Sequence, residues 1–211
     1  MRQIADLIKM AHEMKKKGLT TGEIADELNL SRQTALWLVT HEIEERAEIP
    51  RDIYVEWSTI GSSPGILRHI SLGMAELIRQ TLKENDLPLP DVIAGIATSG
   101  IPLATIIAGE LNASLCIVKP QKHLWEPAEE EKKEAGSTLS NFADVKGKRV
   151  VIVDDIATTG TTLRETMELM ESMGATPLAA VVMIDKKGIK GVGNRPVRAL
   201  LNVGIVEDLD R

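Results

Sequence analysis

A run of aliphatic residues that ends in two aspartates constrains the fold of this chain more than any other segment. The run covers residues 150–153, and Asp154 and Asp155 follow it. Short, continuous and β-branched runs are typical of strands that are buried on both faces of a parallel sheet. Residues 156–162 then form a threonine-rich stretch around Gly160. The sequence therefore predicts a buried strand, a small polar turn and a helix in that order.

The threonine-rich turn has the features of a phosphate-binding loop. Gly160 permits close approach of the backbone, and N–H groups open the following helix from about Thr162. Hydroxyl groups stand at Thr158, Thr159 and Thr161. A phosphate would neutralise the helix end, while the adjacent aspartates suit sugar hydroxyls or a magnesium ion. The Gly-Lys-Ser/Thr of a Walker loop is absent. The alternative is an ordinary strand–loop–helix connection, although two carboxylates at a buried edge are costly without a partner.

Beyond residue 50 the chain alternates between strand and helix patterns. Besides the run at 150–155, strands are expected at residues 53–57, 92–97, 114–118, 179–184 and 197–206. Helices are expected at residues 66–85, 101–111 and 162–173, with loops at 61–65 and 120–141. This alternation predicts an α/β fold with a doubly wound parallel sheet that is covered on both faces.

A second glycine-and-hydroxyl turn follows the strand expected at residues 92–97. Its residues are Thr98, Ser99 and Gly100. Ligands of open α/β sheets bind at the carboxyl edge of the strands, where both turns are expected to lie. Alone, this turn is equally typical of a plain connection between a strand and a helix. Paired with the threonine-rich turn, it becomes strong evidence for a phosphate-binding site at this edge.

The first 47 residues carry a helical pattern that is interrupted twice. Helices are expected up to Gly18, over residues 21–28, and from an N-cap at Ser31 through Val39 and as far as Arg46. Pro50 ends this region, so we place a small helical domain at residues 1–48 and a second domain at 49–211.

Residues 22–35 resemble a helix-turn-helix, with Ala25 in the first helix, Leu30 in the turn and Ser31 capping the second helix. In that register Arg32 and Gln33 suit guanine and adenine edges in the major groove of double-stranded DNA. The predicted DNA-binding residues are Ser31, Arg32, Gln33, Leu36 and Trp37. The alternative is a helical cap or a dimerisation appendage, because this region has more acidic than basic residues.

The Asp154-Asp155 pair with its Thr-Thr-Gly turn resembles the phosphoribosyl pyrophosphate (PRPP) signature of type I phosphoribosyltransferases. The resemblance implies that the aspartates face the ribose hydroxyls and the Mg²⁺ that accompanies PRPP, while one turn takes the 5′-phosphate and the other the diphosphate. The implied PRPP-binding residues are Thr98, Ser99, Gly100, Lys119, Lys122, His123, Asp154, Asp155, Ala157, Thr158, Thr159, Gly160, Thr161 and Thr162. In an active enzyme Lys122, Asp154 and Asp155 would be catalytic.

The parts that would choose and attack a base match orotate phosphoribosyltransferases less well. Lys119, Lys122 and His123 match their cationic lid only in part, and the segment 57–63 lacks the lysine of their hood. Lys186 follows Asp185 where those enzymes have arginine, which offers a point charge in place of a planar fork. The residues expected to form a base pocket are Tyr54, Trp57 and Lys186.

The whole chain resembles archaeal regulators that join a helix-turn-helix to an orotate phosphoribosyltransferase-like domain. The first interpretation is therefore a homodimeric DNA-binding regulator whose effector is PRPP or a nucleotide. The second is an active enzyme that transfers ribose 5-phosphate from PRPP to orotate or another base and releases diphosphate.

Composition limits where such a protein works. The net charge of −6 argues against non-specific nucleic-acid binding by the whole molecule. The N-terminus lacks signal-peptide character and no stretch is long enough for a membrane span. The one cysteine, Cys116, lies in an apolar strand, where we expect a buried inert thiol. These features indicate a cytoplasmic protein.

Overall fold

The computed structural model describes residues 4–42, 50–119, 138–139 and 143–204, the pair 138–139 as backbone only. These residues form two compact units, and the division falls between Glu56 and Trp57. None of the helices within the described ranges combines the length and the apolarity needed to cross a membrane.

The first unit holds three helices: α1 (Ile4–Lys16), α2 (Thr21–Glu27) and α3 (Arg32–Thr40). A capping box starts α2, since the Thr20 hydroxyl accepts the Glu23 N–H and the Glu23 carboxylate accepts the Thr20 N–H. The apolar faces of the three helices share one core, which contains Leu7, Ile8, Ala11, Ile24, Ala25, Leu28, Leu30, Ala35 and Leu38. The helix predicted to extend toward Arg46 is wrong from His41, whose backbone is extended. Residues 43–49 lie outside the described residues.

The segment that follows, residues 50–56, belongs to the first unit and forms no strand. The predicted strand at 53–57 is therefore wrong. Within this segment Tyr54 packs against the helical core. The compact units meet at 56/57, and the domain bounds 1–48 and 49–211 stay a prediction.

The second unit begins with a short helix α4 (Ser58–Gly61) and the long helix α5 (Pro64–Glu84). The expected loop at 61–65 is thereby reduced to Ser62 and Ser63. Ser63 caps α5 and Pro64 occupies its first turn, as is usual at helix starts.

The rest of the unit alternates strands with helices. The elements are β1 (Val92–Ile96), α6 (Gly100–Leu111), β2 (Ser114–Lys119), β3 (Thr138–Leu139), β4 (Arg149–Ala157), α7 (Thr161–Ser172), β5 (Thr176–Asp185), β6 (Gly191–Val192) and β7 (Arg195–Asn202). The two-residue strands β3 and β6 escape prediction because they are too short to show a pattern.

The strands form one sheet in the order β3-β2-β1-β4-β5-β7-β6. Neighbouring pairs from β2 to β7 are parallel, while β3 and β6 lie antiparallel at the two edges. Helices cover both faces: α7 packs on one face with Leu163, Met167 and Met170, and α6 packs on the other, beside α5. The predicted α/β fold with a doubly wound, mainly parallel sheet is confirmed.

Two small residues of the sheet, Gly95 of β1 and Cys116 of β2, lie in closely packed surroundings. A Cβ atom on Gly95 would lie 2.7 Å from the Cβ of Ala104, so α6 can lie directly on β1 only over a glycine. On the opposite face Cys116 is buried in the α7 core. Burial raises the pKa of its thiol to about 11, so the thiol is neutral and unreactive, as expected from the sequence.

An ion pair joins strands β1 and β4 at the amino edge of the sheet. The Arg149 guanidinium donates to both oxygens of Asp91, at 2.6 and 2.9 Å, and the backbone N–H groups of Asp91 and Arg149 donate to the opposite residue. The Arg149 hydrogen bonds hold the pKa of Asp91 well below its ordinary value. This pair fixes the register at the start of both strands.

Candidate functional site

The two glycine turns that the sequence singled out lie side by side at the carboxyl edge of the sheet. Strands β1 and β4 are adjacent and parallel, with Gly95 opposite Val153, so the turns that follow them emerge together. Gly100 lies against β4: a Cβ atom there would sit 2.8 Å from the Val153 carbonyl oxygen and 3.2 Å from both Cα and Oδ1 of Asp154. The first turn therefore touches the strand that carries the aspartates.

The aspartates lie near the end of β4 and are almost covered. Asp154 is 9% exposed and Asp155 is 6% exposed. Asp154 Oδ1 accepts the backbone N–H of Asp155 at 2.9 Å, which orients the first carboxylate. Because consecutive side chains of a strand point to opposite faces, the two carboxylates occupy different sides of the sheet edge. Their role in binding a ligand stays a prediction.

The threonine turn starts helix α7 in a way that suits an anion. Gly160 is the N-cap residue, with a left-handed φ of 79°, and it brings no side-chain cap to the helix. The hydroxyl of Thr159 donates to the hydroxyl of Thr161 at 3.0 Å, which holds the turn in shape. The helix begins at Thr161, one residue before the predicted start.

In the first turn, Thr98 is exposed and Ser99 is half-buried. Ser99 makes no capping hydrogen bond to α6, and the Ala97–Thr98 peptide is cis. Both turns thus bring hydroxyls and a glycine to one edge of the sheet, as the sequence predicted. Their role in binding PRPP stays a prediction.

A third turn, residues 186–189, lies beside the threonine turn. Of its residues, only Lys186 was predicted from the sequence to belong to the site. The buried carboxylate of Asp185 accepts the backbone N–H groups of Lys187, Gly188 and Ile189. The Lys186 N–H donates to the Ala157 carbonyl at 3.0 Å. An Asp followed by a glycine three residues later is typical of a turn held by a side chain, and that signal was present in the sequence.

The contact between these two turns is tight. A Cβ atom on Gly160 would lie 2.8 Å from Cδ1 of Ile189. Asp185 therefore sets the position of the threonine turn indirectly, through the 186–189 turn. Lys186, predicted for the base pocket, is half-buried at this place.

Only some of the other predicted site residues lie within the described part of the chain. Lys119 ends β2, is exposed and pairs with Thr138 of β3. Lys122 and His123 lie outside the described residues. Of the remaining base-pocket residues, Tyr54 belongs to the first unit and packs on its core. Trp57 opens the second unit, where its ring lies against Gly61, 3.3 Å from a Cβ atom built there. These contacts account for both aromatic rings within their own units.

The chemistry of the carboxyl edge fits Mg²⁺ that arrives with a ligand. Mg²⁺ takes oxygen ligands and is usually held by one or two carboxylates together with substrate phosphates and water. Asp154 and Asp155 offer such carboxylates. Within the described part of the chain no group of three or more His, Cys, Asp or Glu residues is arranged to hold a metal ion. The donor set therefore suits a metal–phosphate complex better than a bare ion.

In the first unit, helix α3 presents part of the predicted DNA-reading surface. Arg32, Gln33 and Leu36 are exposed, and Leu36 is 52% exposed despite being apolar. Ser31 caps the helix, with its hydroxyl accepting the Thr34 N–H at 3.1 Å. Trp37 is half-buried, packs against the helical core and stacks on His41 with ring centroids 4.5 Å apart. The role of these residues in DNA binding stays a prediction.

Comparison with protein families and curated proteins gives two consistent findings. The phosphoribosyl transferase domain family matches residues 56–203. The transcriptional regulator GfcR of Methanocella arvoryzae is 42% identical over 208 residues, which are 98% of this chain and 100% of that protein. The transcriptional regulator GfcR of Haloferax volcanii is 43% identical over 210 residues, which are 96% of this chain and 97% of that protein.

Solved structures share the fold of the second unit. Leishmania donovani UMP synthase has a TM-score of 0.55 and 25% identity over 77% of this chain, but only 32% of its own length is covered. Adenine phosphoribosyltransferase from Leishmania tarentolae has a TM-score of 0.52 and 26% identity, covering 72% of this chain and 79% of that one. Orotate phosphoribosyltransferase from Aeropyrum pernix, at 20% identity and a TM-score of 0.52, covers 87% and 93% and shows the fold alone.

Proposed function

Because the chain belongs to the family of archaeal transcriptional regulators that carry a phosphoribosyl transferase domain, we propose that it binds DNA through residues 1–48 and senses PRPP or a nucleotide through residues 49–211. The relatives match over nearly their full length, so the helical unit and the second unit occur together in them. The function therefore requires two sites, one for each partner.

The contact of Gly100 with Asp154 carries the effector half of the proposal. It places one glycine-and-hydroxyl turn against the strand whose aspartates precede the other, which is the arrangement that a ribose with two phosphorylated ends needs. The turns and the N-terminal end of α7 supply hydroxyls and N–H donors for phosphate oxygens. The aspartates supply acceptors for ribose hydroxyls and ligands for the accompanying Mg²⁺.

Calorimetry with Mg²⁺ and PRPP tests the effector half. We expect saturable binding by the wild-type chain and by Glu110→Ala, a change of an exposed glutamate at the far end of α6. Asp155→Asn should weaken binding at least tenfold, because an amide neither binds Mg²⁺ as well nor accepts hydrogen bonds as strongly. Equal affinity of wild type and Asp155→Asn would contradict this site.

Helix α3 carries the DNA half of the proposal. Arg32 and Gln33 stand exposed at its start, where a recognition helix contacts base edges, and Leu36 follows one turn later with an apolar surface for thymine methyl groups. A homodimer would present two such helices to a two-fold symmetric operator. Because the operator is part of the chromosome, a protein that binds it works in the cytoplasm.

Fluorescence anisotropy with an operator duplex, selected from randomised DNA by the wild-type chain, tests the DNA half. Arg32→Ala should weaken operator binding roughly ten- to a hundredfold, because a bidentate arginine–guanine contact contributes about 1–3 kcal/mol. Arg68→Ala, which removes an exposed arginine from α5 in the second unit, is the charge-matched control and should leave the affinity unchanged. An equal loss in both variants would indicate a general charge effect. Light scattering on the same samples checks the dimer.

The second candidate function is a phosphoribosyltransferase, favoured by the retained aspartate pair. Two carboxylates beside the ribose would stabilise an oxocarbenium-like transition state electrostatically, with Lys122 neutralising the departing diphosphate and Lys186 beside the base. Diphosphate release from PRPP and Mg²⁺ in the presence of each common base tests this activity. Production with one base, abolished by Asp154→Asn, would establish an enzyme. A regulator that only senses PRPP releases none.

A further inference from the structure

The segment that leads from the helical unit into the second unit is tied to the start of α3. One carboxylate oxygen of Asp52 accepts the backbone N–H of Ser31 at 2.6 Å, and the other accepts the N–H of Ile53 at 2.7 Å. Two residues later, Tyr54 packs against the helical core. The contact with Ser31 spans 21 positions of sequence, which is why no local pattern reveals it.

Ser31 is thereby held from two sides. Its hydroxyl accepts the Thr34 N–H and caps α3, while its own N–H is occupied by the Asp52 carboxylate. The carboxylate also lies near the positive end of the helix dipole, where a negative charge is stabilising. Asp52 is half-buried, so water competes only partly for this hydrogen bond. The residue immediately after Ser31 is Arg32, the first of the exposed residues proposed to read DNA.

Helix α3 has nine residues, which is too short for stability on its own. The direction of the helix axis depends on the core contacts of Ala35 and Leu38 and on the hydrogen bonds that hold the first turn. The core contacts fix the middle of the helix. Asp52 fixes its start, where Arg32 and Gln33 lie.

We propose that Asp52 is a positioning residue for DNA recognition and the point at which the second unit acts on α3. This inference rests on the proposed DNA-binding function. Residues 53–56 alone separate Asp52 from Trp57, where the second unit begins. Extended chain spans at most roughly 17 Å over five residue steps, so a displacement of Trp57 that residues 55 and 56 do not absorb acts on Tyr54 and, through it, on Asp52. A ligand that shifts the second unit between two states would then change the hydrogen bond that the Ser31 N–H donates to Asp52.

The test uses the full chain and three variants. Asp52→Ala removes the acceptor, Asp52→Asn keeps one acceptor oxygen without the charge, and Glu13→Ala removes an equal charge from an exposed position of α1. Affinity for the selected operator duplex is measured by anisotropy with and without Mg²⁺ and PRPP. Calorimetry gives the PRPP affinity of each variant, and amide exchange reports the protection of the Ser31 N–H.

We expect Asp52→Ala to weaken operator binding at least fivefold and to reduce the effect of PRPP on that binding to less than half. Asp52→Asn should recover most of the operator affinity, because the amide oxygen still accepts the Ser31 N–H. Glu13→Ala should match the wild type, and PRPP affinity without DNA should be equal in all four proteins. Exchange at Ser31 should rise in Asp52→Ala while amides of α1 stay protected.

Operator affinity and PRPP response in Asp52→Ala equal to those of the wild type would overturn the inference. So would an equal defect in Asp52→Asn, which would assign the effect to charge. If Asp52→Ala loses protection throughout α1, the helical unit has unfolded, and Asp52→Glu replaces it in the test, because the longer side chain keeps the charge but displaces the acceptor from the Ser31 N–H. Operator affinity and PRPP response in Asp52→Glu equal to those of the wild type would then overturn the inference. A wild-type chain that selects no DNA contradicts the proposed function itself, whereas selection without any PRPP response overturns only the coupling through Asp52.

Discussion

Aspartates lie at both the amino edge and the carboxyl edge of the sheet, but their surroundings differ. At the amino edge, Asp91 is neutralised within the fold by the Arg149 guanidinium, which contacts both of its oxygens. At the carboxyl edge, Asp154 and Asp155 lie adjacent and nearly covered, beside two glycine turns. The amino edge is arranged to hold two strands together. In the proposed function the carboxyl edge binds PRPP, so changes at the two edges should have different consequences.

The largest effect is expected from Gly100→Ala, which adds a methyl group at the carboxyl edge. The added methyl group would meet backbone atoms, the Val153 carbonyl oxygen at 2.8 Å and Asp154 Cα at 3.2 Å, and neither can move aside alone. Overpacking of this kind destabilises a fold by about 1–3 kcal/mol. We expect loss of PRPP binding by at least a hundredfold in calorimetry, together with a lower Tm.

Gly109→Ala is the matched control for that change. It lies in the same helix, and an added methyl group would meet no atom within 4 Å. Replacing a helical glycine by alanine stabilises by about 0.5–1 kcal/mol, so this variant should melt slightly higher and bind PRPP normally. If Gly100→Ala binds PRPP as well as Gly109→Ala, the close contact between the turn and β4 has no role in the site.

The next largest effect is expected from Asp154→Asn. Loss of a charge-assisted hydrogen bond, roughly 1.5–3 kcal/mol, should weaken PRPP binding about ten- to a hundredfold. The free energy of unfolding without ligand should change little, because asparagine has the same shape and keeps an oxygen that accepts the Asp155 N–H. Urea unfolding with and without PRPP measures both quantities. A large loss of stability in the absence of ligand would mean that the carboxyl edge is structural like the amino edge.

The smallest effect is expected from Asp91→Asn, at the other edge. The pKa of Asp91 is lowered in the folded state, chiefly by the Arg149 side-chain hydrogen bonds, from an ordinary value of 3.8. Its stabilising contribution is therefore fully present above about pH 5 and is lost as the pH falls below 3.8 toward the folded pKa. We expect Tm to drop by a few degrees at most at pH 7, because solvent screens a half-exposed pair.

Two measurements separate this change from the others. The Tm difference between Asp91→Asn and wild type should shrink as the pH falls below 3.8, and PRPP affinity at pH 7 should be unchanged. A Tm difference that stays constant down to strongly acidic pH would show that the pair does not act through charge. A loss of PRPP affinity would show that the two edges are not independent.

The elements of the carboxyl edge were predictable because their signals are local. The aliphatic run before Asp154 and the glycine in each turn fix a strand and its connection over a few residues. The strand predicted at 53–57 is wrong: the segment is apolar, and its Tyr54 packs on the helical core without strand pairing. A short apolar run does not by itself reveal which surface it packs on.

The contacts that the sequence did not reveal join residues far apart in the chain. Asp52 accepts the N–H of Ser31, the cap residue of α3, which lies 21 positions away, and Ile189 of the Asp185 turn limits the space at Gly160. Only the tertiary fold brings such partners together. The sequence therefore indicated candidate site residues but not the residues that hold them in place.

The proposed coupling between the two sites is tested most directly by the affinity of the wild-type chain for its selected operator, titrated by anisotropy with and without saturating Mg²⁺ and PRPP. If the proposed regulator senses PRPP, PRPP should change the operator dissociation constant at least fivefold, and Asp154→Asn should bind the operator normally but require far more PRPP for the change. An operator affinity that is identical with and without PRPP and with nucleotides, in a chain that binds both ligands, would contradict the proposed function.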